Sequence, residues 1–267
     1  MIRDLVAAAL AEDLGPLGDI TSALLPEGAV IDAVLVSRAD GVLAGRAAAD
    51  ETFRQVDTAI EGEWAAADGD RIVAGRSIAT VRGPLASVLT AERTALNFLC
   101  HLSGIATLTR RYADLAAPAR IRDTRKTTPG LRALEKAAVR AGGGVNHRGN
   151  LSDGILVKDN HLGGLSVEEA VERARRLWPG RTVQIECDTI DQVKASLVAG
   201  AELVLLDNMT PEAVAECVAL AAGRCLVEVS GGVTLDTVAA YAAAGPDLIA
   251  VGALTHSAPV LDIGLDS

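Results

Sequence analysis

Six stretches of this chain end in residues suited to handling a polyanion. Arg125 and Lys126 follow Arg120-Ile121-Arg122, and Lys158 follows Ile155-Leu156-Val157. Glu186 closes Val183-Gln184-Ile185, and Asp207 closes Leu203-Val204-Leu205-Leu206. Ser230-Gly231-Gly232 follows Leu226-Val227-Glu228-Val229, and Gly252 with His256 follows Leu248-Ile249-Ala250-Val251. The leading stretches are short and mostly apolar, as strands are. Cations suit carboxylate and phosphate, and glycines let backbone N–H groups approach an anion. Two carboxylates suit Mg²⁺ or a developing positive charge.

Charge distribution sharpens this reading. Between Arg120 and His161 nine Lys and Arg face four Asp and Glu, an excess of five cations in a chain of net charge -10. A cationic patch in an acidic chain fits a small anionic ligand and opposes nucleic acid or an anionic membrane as partner. Arg132, Lys136 and Arg140 fall within one helical stretch and are expected on its solvated face. Arg125, Lys126 and Lys158 sit at strand ends and are expected in a site. Gly142-Gly143-Gly144-Val145-Asn146-His147-Arg148 reads either as an anion cradle or as a helix C-cap and loop. Glu186 and Asp207 fit a Mg²⁺ site, or salt bridges to Lys126 and Lys158, or both. No G-x-S-x-G, H-E-x-x-H or complete Walker loop is present, so charge-based rather than nucleophilic chemistry is expected.

The elements that must position these residues have two textures. Before about residue 90, short strand-like runs alternate with turn signals. Val34-Leu35-Val36 and Val42-Leu43-Ala44 flank Asp40-Gly41, which predicts a hairpin. Arg71-Ile72-Val73 and Ile78-Ala79-Thr80-Val81 predict further strands of a small antiparallel sheet. Thr90 is an expected N-cap for helix running to about Ala117, with Gly104 a possible break. After that, strand and helix alternate. Ser166 with Glu169 and Thr189 with Gln192 read as capping boxes, Thr210-Pro211 as a helix start, and Thr234 as another. Six such units predict a parallel sheet, either an irregular, incomplete α/β barrel or an open doubly wound sheet.

Composition agrees. The chain has 267 residues, 49% of them hydrophobic but only 2% aromatic, so the core must be aliphatic and base-stacking platforms are not expected. Cys100, Cys187, Cys217 and Cys225 show no zinc-site spacing and read as reduced core thiols. The start, an amphipathic helix with Glu12 and Asp13, lacks an apolar signal core, and a cytoplasmic protein is expected.

Longer motifs carry a family likeness. They are Thr90-Ala91-Glu92-Arg93-Thr94-Ala95-Leu96-Asn97, Asp123-Thr124-Arg125-Lys126-Thr127-Thr128-Pro129-Gly130-Leu131-Arg132, Asn146-His147-Arg148 and Lys158-Asp159-Asn160-His161. With Leu205-Leu206-Asp207-Asn208, Ser230-Gly231-Gly232 and Gly252-Ala253-Leu254-Thr255-His256-Ser257, this resembles the quinolinate phosphoribosyltransferases along essentially the whole chain. The resemblance implies an N-terminal α/β sandwich domain (1–104, with 257–267 returning to it) and a barrel-like catalytic domain (105–256). It implies a homodimer or larger assembly in which Arg93 acts in trans. The implied reaction joins quinolinate to phosphoribosyl pyrophosphate and releases pyrophosphate and CO₂, giving nicotinate mononucleotide for NAD biosynthesis. Arg93, Thr124, Arg125, His147, Arg148 and Lys158 would bind quinolinate. Lys126, Lys158, Glu186 and Asp207 would serve catalysis, the two acids also holding Mg²⁺, directly or indirectly. Ser230, Gly231, Gly232, Gly252 and His256 would hold phosphate. Three alternatives stand beside it: a same-fold relative with another acceptor, as in molybdate-transport-associated proteins, a Schiff-base barrel enzyme using Lys126 or Lys158, and a non-catalytic binding protein.

Overall fold

A computed structural model describes residues 2–267. The chain begins with helix α1 (Ile2–Leu14), which buries Val6 and Leu10. Strand β1 (Val30–Ser37), β2 (Gly41–Val42), helix α2 (Arg46–Val56), β3 (Glu61–Trp64), β4 (Arg71–Ile72) and β5 (Ser77–Pro84) follow. Next comes α3, a helix of 32 residues (Leu85–Ala116). The remainder runs β6 (Arg120–Arg122), α4 (Arg132–Ala141), β7 (Ile155–Val157), α5 (Asp159–Leu162), α6 (Val167–Leu177) and β8 (Val183–Cys187). It continues with α7 (Ile190–Ala199), β9 (Leu203–Asp207), α8 (Pro211–Ala221), β10 (Leu226–Ser230), α9 (Val238–Ala243), β11 (Leu248–Ala250), α10 (Ala253–His256) and β12 (Ile263–Asp266). Among the described residues no helix is long and apolar enough to cross a membrane.

These elements form two compact units. The first runs up to Arg110 and also holds Thr127–Gly143 and Ser257–Ser267; the second holds Arg111–Lys126 and Gly144–His256. This grouping places α4 with the first unit. The physical ties are visible. His101 Nε2 on α3 lies 2.9 Å from Oε1 of the fully buried Glu135 on α4. A Cβ at Gly142 would lie only 2.4 Å from the carbonyl oxygen of Ala106. The triple glycine thus serves close packing at Gly142, while Gly143 takes a left-handed φ of 90°. Glu135 and Lys136 are both buried, so α4 does not present Lys136 on a solvated face as expected.

In the first unit, an antiparallel sheet of order β12-β1-β5-β3 covers an aliphatic core that includes Leu35, Ile78, Val81, Val88, Leu96 and Leu99. Each such side chain contributes about 1.5–3 kcal/mol on leaving water. Three local expectations fail here. β1 does not form a hairpin with β2; it pairs with β5 and β12, while β2 pairs with β4. Gly41 is needed for space, since a Cβ there would lie 2.7 Å from side-chain atoms of Leu261 and Thr107. Thr90 is not an N-cap, because α3 has already begun at Leu85; its hydroxyl donates to Asp19 at 2.9 Å. Gly104 does not break the helix. It admits the chain at Pro259, whose carbonyl oxygen would sit 2.1 Å from a Cβ at that position.

The second unit is a parallel sheet of order β6-β11-β10-β9-β8-β7. From β7 to β11 every strand lies beside its sequence neighbour, with no reversal of order. A doubly wound sheet reverses at a switch point. Right-handed crossovers without a reversal put every helix on one face and curl the sheet toward a barrel. Val145 adds a single parallel bridge to Arg122 at the outer edge of β6. The barrel is thus irregular and incomplete, as expected. The predicted caps are present: Ser166 and Thr189 form capping boxes with Glu169 and Gln192, and Thr210 accepts from the N–H of Ala213 with Pro211 in the first turn. The helix expected at Thr234 begins only at Val238. Thr234 instead pairs with Thr237, whose hydroxyl accepts the Thr234 N–H at 2.9 Å.

The fit at Gly104 is testable. Gly104→Ala must push the Pro259 segment off α3, an overpacking that costs about 1–3 kcal/mol. Urea denaturation should show that loss; a stability unchanged from wild type would mean the two segments do not meet so closely.

Candidate active site

The C-terminal ends of the parallel strands open into a cavity of about 380 Å³. Its wall includes Thr124, Arg125 and Lys126 after β6, His147 and Arg148, then Lys158 after β7. Glu186, next to last in β8, and Asp207 and Ser230, which end β9 and β10, complete the polar lining, and Leu156, Leu205 and Ala250 supply its apolar part. Parallel strands all point their last residues the same way, so residues far apart in sequence arrive at one mouth.

Two guanidinium groups dominate the electrostatics. Burial and the nearby Arg125 cation both push the Arg148 pKa down. Arg148 is anchored through Nη1, which donates to the Gly154 carbonyl at 3.1 Å. Asp123 braces the approach. It is fully buried and accepts the His147 N–H at 2.8 Å and the Asn146 side-chain amide. The His147 ring is engaged on both sides: Nδ1 accepts the Arg148 N–H at 2.7 Å and Nε2 lies 3.1 Å from Gln184 Oε1. As it stands, His147 supports Arg148 rather than offering a ring nitrogen to a ligand.

Across the mouth, Lys158 Nζ donates to Glu186 Oε2 at 2.5 Å. Asp207 accepts from the Asn208 side chain at 2.8 Å. The salt bridge read as an alternative for Glu186 thus exists, and a ligand phosphate would compete for its lysine. Glu186 and Asp207 stand ready for a cation, yet among the described residues no group of three or more His, Cys, Asp or Glu is placed to hold a metal. Two carboxylates fit Mg²⁺ when substrate oxygens supply other ligands.

The glycine turns sit at the far strands. Gly231 has φ 95° and Gly232 φ 61°. A Cβ on Gly231 would lie 2.3 Å from Asn208 Oδ1, so only glycine fits. A Cβ on Gly252 would lie 3.2 Å from both His256 Nε2 and Lys126 Cδ, which puts these three positions together. Thr255 ties the corner by donating to the Lys126 carbonyl at 2.8 Å. Arg93 is exposed on α3 and is not one of this cavity's wall residues.

Three contributors escaped the sequence reading: Arg122, Gln184 and Glu228. Strand alternation was the available signal, because Gln184 and Glu228 stand two residues before Glu186 and Ser230 and so share their face. The thiols of Cys187, Cys217 and Cys225 are buried and unpaired, and burial pushes the Cys187 pKa up to about 11. They are core groups, not nucleophiles.

A singly wound parallel sheet with clustered cations, opposed carboxylates and glycine turns at one mouth defines a barrel-type enzyme acting on anionic, phosphorylated substrates. Known proteins narrow the class. Family models for the N- and C-terminal domains of quinolinate phosphoribosyl transferase match residues 19–103 and 105–266. The chain is 44% identical to a nicotinate-nucleotide pyrophosphorylase [carboxylating] of Mycobacterium leprae, over 99% of this chain and 96% of that one. It is 40% identical to a probable nicotinate-nucleotide pyrophosphorylase [carboxylating] of Bacillus subtilis, over 96% and 89%. The solved nicotinate-nucleotide pyrophosphorylase of Francisella tularensis superposes with a TM-score of 0.95 at 37% identity, covering 99% of this chain and 95% of that one. The chain belongs to the quinolinate phosphoribosyl transferase family.

Gly231→Ala tests whether this glycine turn holds a phosphate. Its methyl group would strain a left-handed backbone at a cost of about 1–3 kcal/mol and displace Asn208 from Asp207. Affinity for ribose 5-phosphate should fall about tenfold or more, read by calorimetry. Undiminished binding would place the phosphate elsewhere.

Proposed function

We propose that this protein transfers the phosphoribosyl group of phosphoribosyl pyrophosphate to the ring nitrogen of quinolinate and then releases CO₂, leaving nicotinate mononucleotide and pyrophosphate. One observation carries the reading: a single cavity joins Arg125 and Arg148 to Lys126, Lys158, Glu186 and Asp207. Few small molecules need two cationic clusters and a carboxylate pair at once. A doubly negative pyridine beside a pyrophosphate ester does.

The residues divide the work. Arg125 and Arg148 bind the quinolinate carboxylates through charge-assisted pairs, with Thr124 beside them, and so aim the ring nitrogen. Lys126 and Lys158 meet the pyrophosphate. As Lys158 turns toward it, the Glu186 carboxylate is released to face the ribose. Breaking this ion pair costs little, about 0–1 kcal/mol, because the lysine is partly exposed. Glu186 and Asp207 then stabilise the positive charge that grows on the ribose carbon as pyrophosphate leaves. They would also hold Mg²⁺, which when bound neutralises charge on the departing pyrophosphate. Ser230, Gly231, Gly232, Gly252 and His256 hold the 5′-phosphate and anchor the sugar. The ring nitrogen, once bonded to ribose, is cationic. The C–C bond to the neighbouring carboxylate can then break, leaving its electron pair on the ring carbon beside the cationic nitrogen as CO₂ departs, and that pair then takes up a proton.

The imine alternative finds no support in this geometry. Lysines that form imines need apolar or cationic surroundings, whereas Lys158 Nζ donates to a carboxylate. A cytoplasmic setting accords with four unpaired cysteines.

The decisive assay supplies quinolinate, phosphoribosyl pyrophosphate and Mg²⁺. Nicotinate mononucleotide and CO₂ should form in equal amounts. Nucleotide from nicotinic acid but not from quinolinate would reject the substrate assignment, and ligand binding without CO₂ release would make this a binding protein.

Arg93 completes the carboxylate site from a second subunit in this reading. Its exposure on α3 leaves it available for that role. Arg93→Ala and Arg148→Ala proteins should each be inactive alone. Mixed dimers should regain activity, because each contains one site with both arginines. Confirmed mixed dimers without activity would put Arg93 outside the site.

A further inference from the structure

Behind the cavity wall runs a line of polar side chains that the reaction above leaves unused. Glu228 on β10 is fully buried, and burial pushes its pKa up against the opposing pull of Arg122. Its Oε2 accepts two hydrogen bonds, from Arg122 Nη1 at 2.9 Å and from Gln184 Nε2 at 2.6 Å. Gln184 is also buried. The Oε1 atom of Gln184 lies 3.1 Å from His147 Nε2, and His147 Nδ1 accepts the Arg148 N–H at 2.7 Å.

The chemistry of each group sets the direction of its neighbour. A guanidinium only donates. Glu228 Oε2 must therefore accept. It does so even if Glu228 is protonated, because the proton would sit on Oε1, which has no partner. Gln184 must then turn its NH₂ toward Glu228 and its carbonyl toward His147. That carbonyl requires a proton on His147 Nε2. Nδ1 is left with a lone pair, and the Arg148 N–H takes it. Fixed donors stand at both ends of the line, Arg122 on β6 and the Arg148 N–H at the cavity wall, and both require the same tautomer. Such a network is fully specified only if every link holds.

We propose that Gln184 is a positioning residue, which fixes His147 as its Nε2–H tautomer and thereby holds Arg148 in place for a substrate carboxylate. The proposal rests on the reading of Arg148 as a quinolinate ligand. Gln184 reaches the substrate only through His147 and Arg148.

Gln184→Met keeps the volume and removes both hydrogen bonds. ¹⁵N NMR of the histidine rings in the full-length protein reads the tautomer directly. Wild type should show His147 protonated on Nε2 alone, and Gln184→Met should show the two nitrogens averaging. KM for quinolinate should rise about 5- to 20-fold, the worth of one or two hydrogen bonds, while KM for phosphoribosyl pyrophosphate stays within about twofold. Glu228→Gln still presents an oxygen to Arg122 and Gln184, so it should keep both the tautomer and the quinolinate KM. A Gln184→Met protein with an unchanged tautomer and unchanged KM overturns the proposal. A wild-type spectrum with the proton on Nδ1 also overturns it, and this requires no folded variant. If wild type does not turn over quinolinate, the substrate reading fails, while the spectra still decide whether Gln184 sets the ring.

Discussion

Two guanidinium groups at one mouth repel each other and favour an anion, and the site is arranged around that preference. Arg148 is partly desolvated beside Arg125, and neither has an acidic partner among the described residues. Nearby carboxylates are committed elsewhere: Asp123 to the His147 backbone and Glu186 to Lys158. An incoming anion therefore finds donors whose repulsion it relieves, and displaces no protein anion to do so. Preorganised charge of this kind favours binding and costs no rearrangement when the reaction begins.

Holding like charges together requires a stiff frame, and the sheet provides one. Glu186, Asp207 and Ser230 lie within strands and are paired on the sheet, as Asp207 is opposite Ser230, and Lys158 directly follows β7. The incomplete closure between β6 and β7 matters as well. The segment carrying Asn146, His147 and Arg148 follows Val145, which bridges to the free edge of β6. A closed barrel would have a strand pair at that edge. This one has a loop, and the loop brings Arg148 to the cavity wall.

Much of this was legible because local chemistry and global fold agree. Capping boxes at Ser166 and Thr189 mark helix starts through hydrogen bonds made within four residues, so the sequence shows them. Apolar runs ending in Lys, Glu, Asp or Ser-Gly-Gly mark strand ends for the same reason. The errors share a cause too. Gly41 and Gly104 looked like turn and break, yet each is glycine because a distant segment, near Leu261 or Pro259, passes within contact distance. A glycine required by its own φ and one required by a neighbour are the same letter. Only the fold separates them. The grouping of α4 with the first unit was hidden likewise, since it depends on His101 meeting Glu135 across 34 positions.

The residues that sequence reasoning passed over were of a different kind. Gln184 and Glu228 lie inside strands, where polar side chains are expensive unless hydrogen-bonded. Beside Ile185, Val227 and Val229 they read as strand residues within mostly apolar runs. The cost of burying Glu228 is offset by Arg122 and Gln184, and nothing in the folding of a parallel sheet requires a carboxylate there: Leu205, next to it on β9, occupies an equivalent inward position. A hydrophobic residue of similar size would generally give an equally stable core. What an aliphatic side chain would not supply is direction. The network converts the fixed donor character of one arginine into a fixed acceptor at His147 Nδ1, one residue from the cavity's second arginine. Buried polarity in this barrel is thus best understood as the means by which a loop at an open sheet edge acquires one orientation.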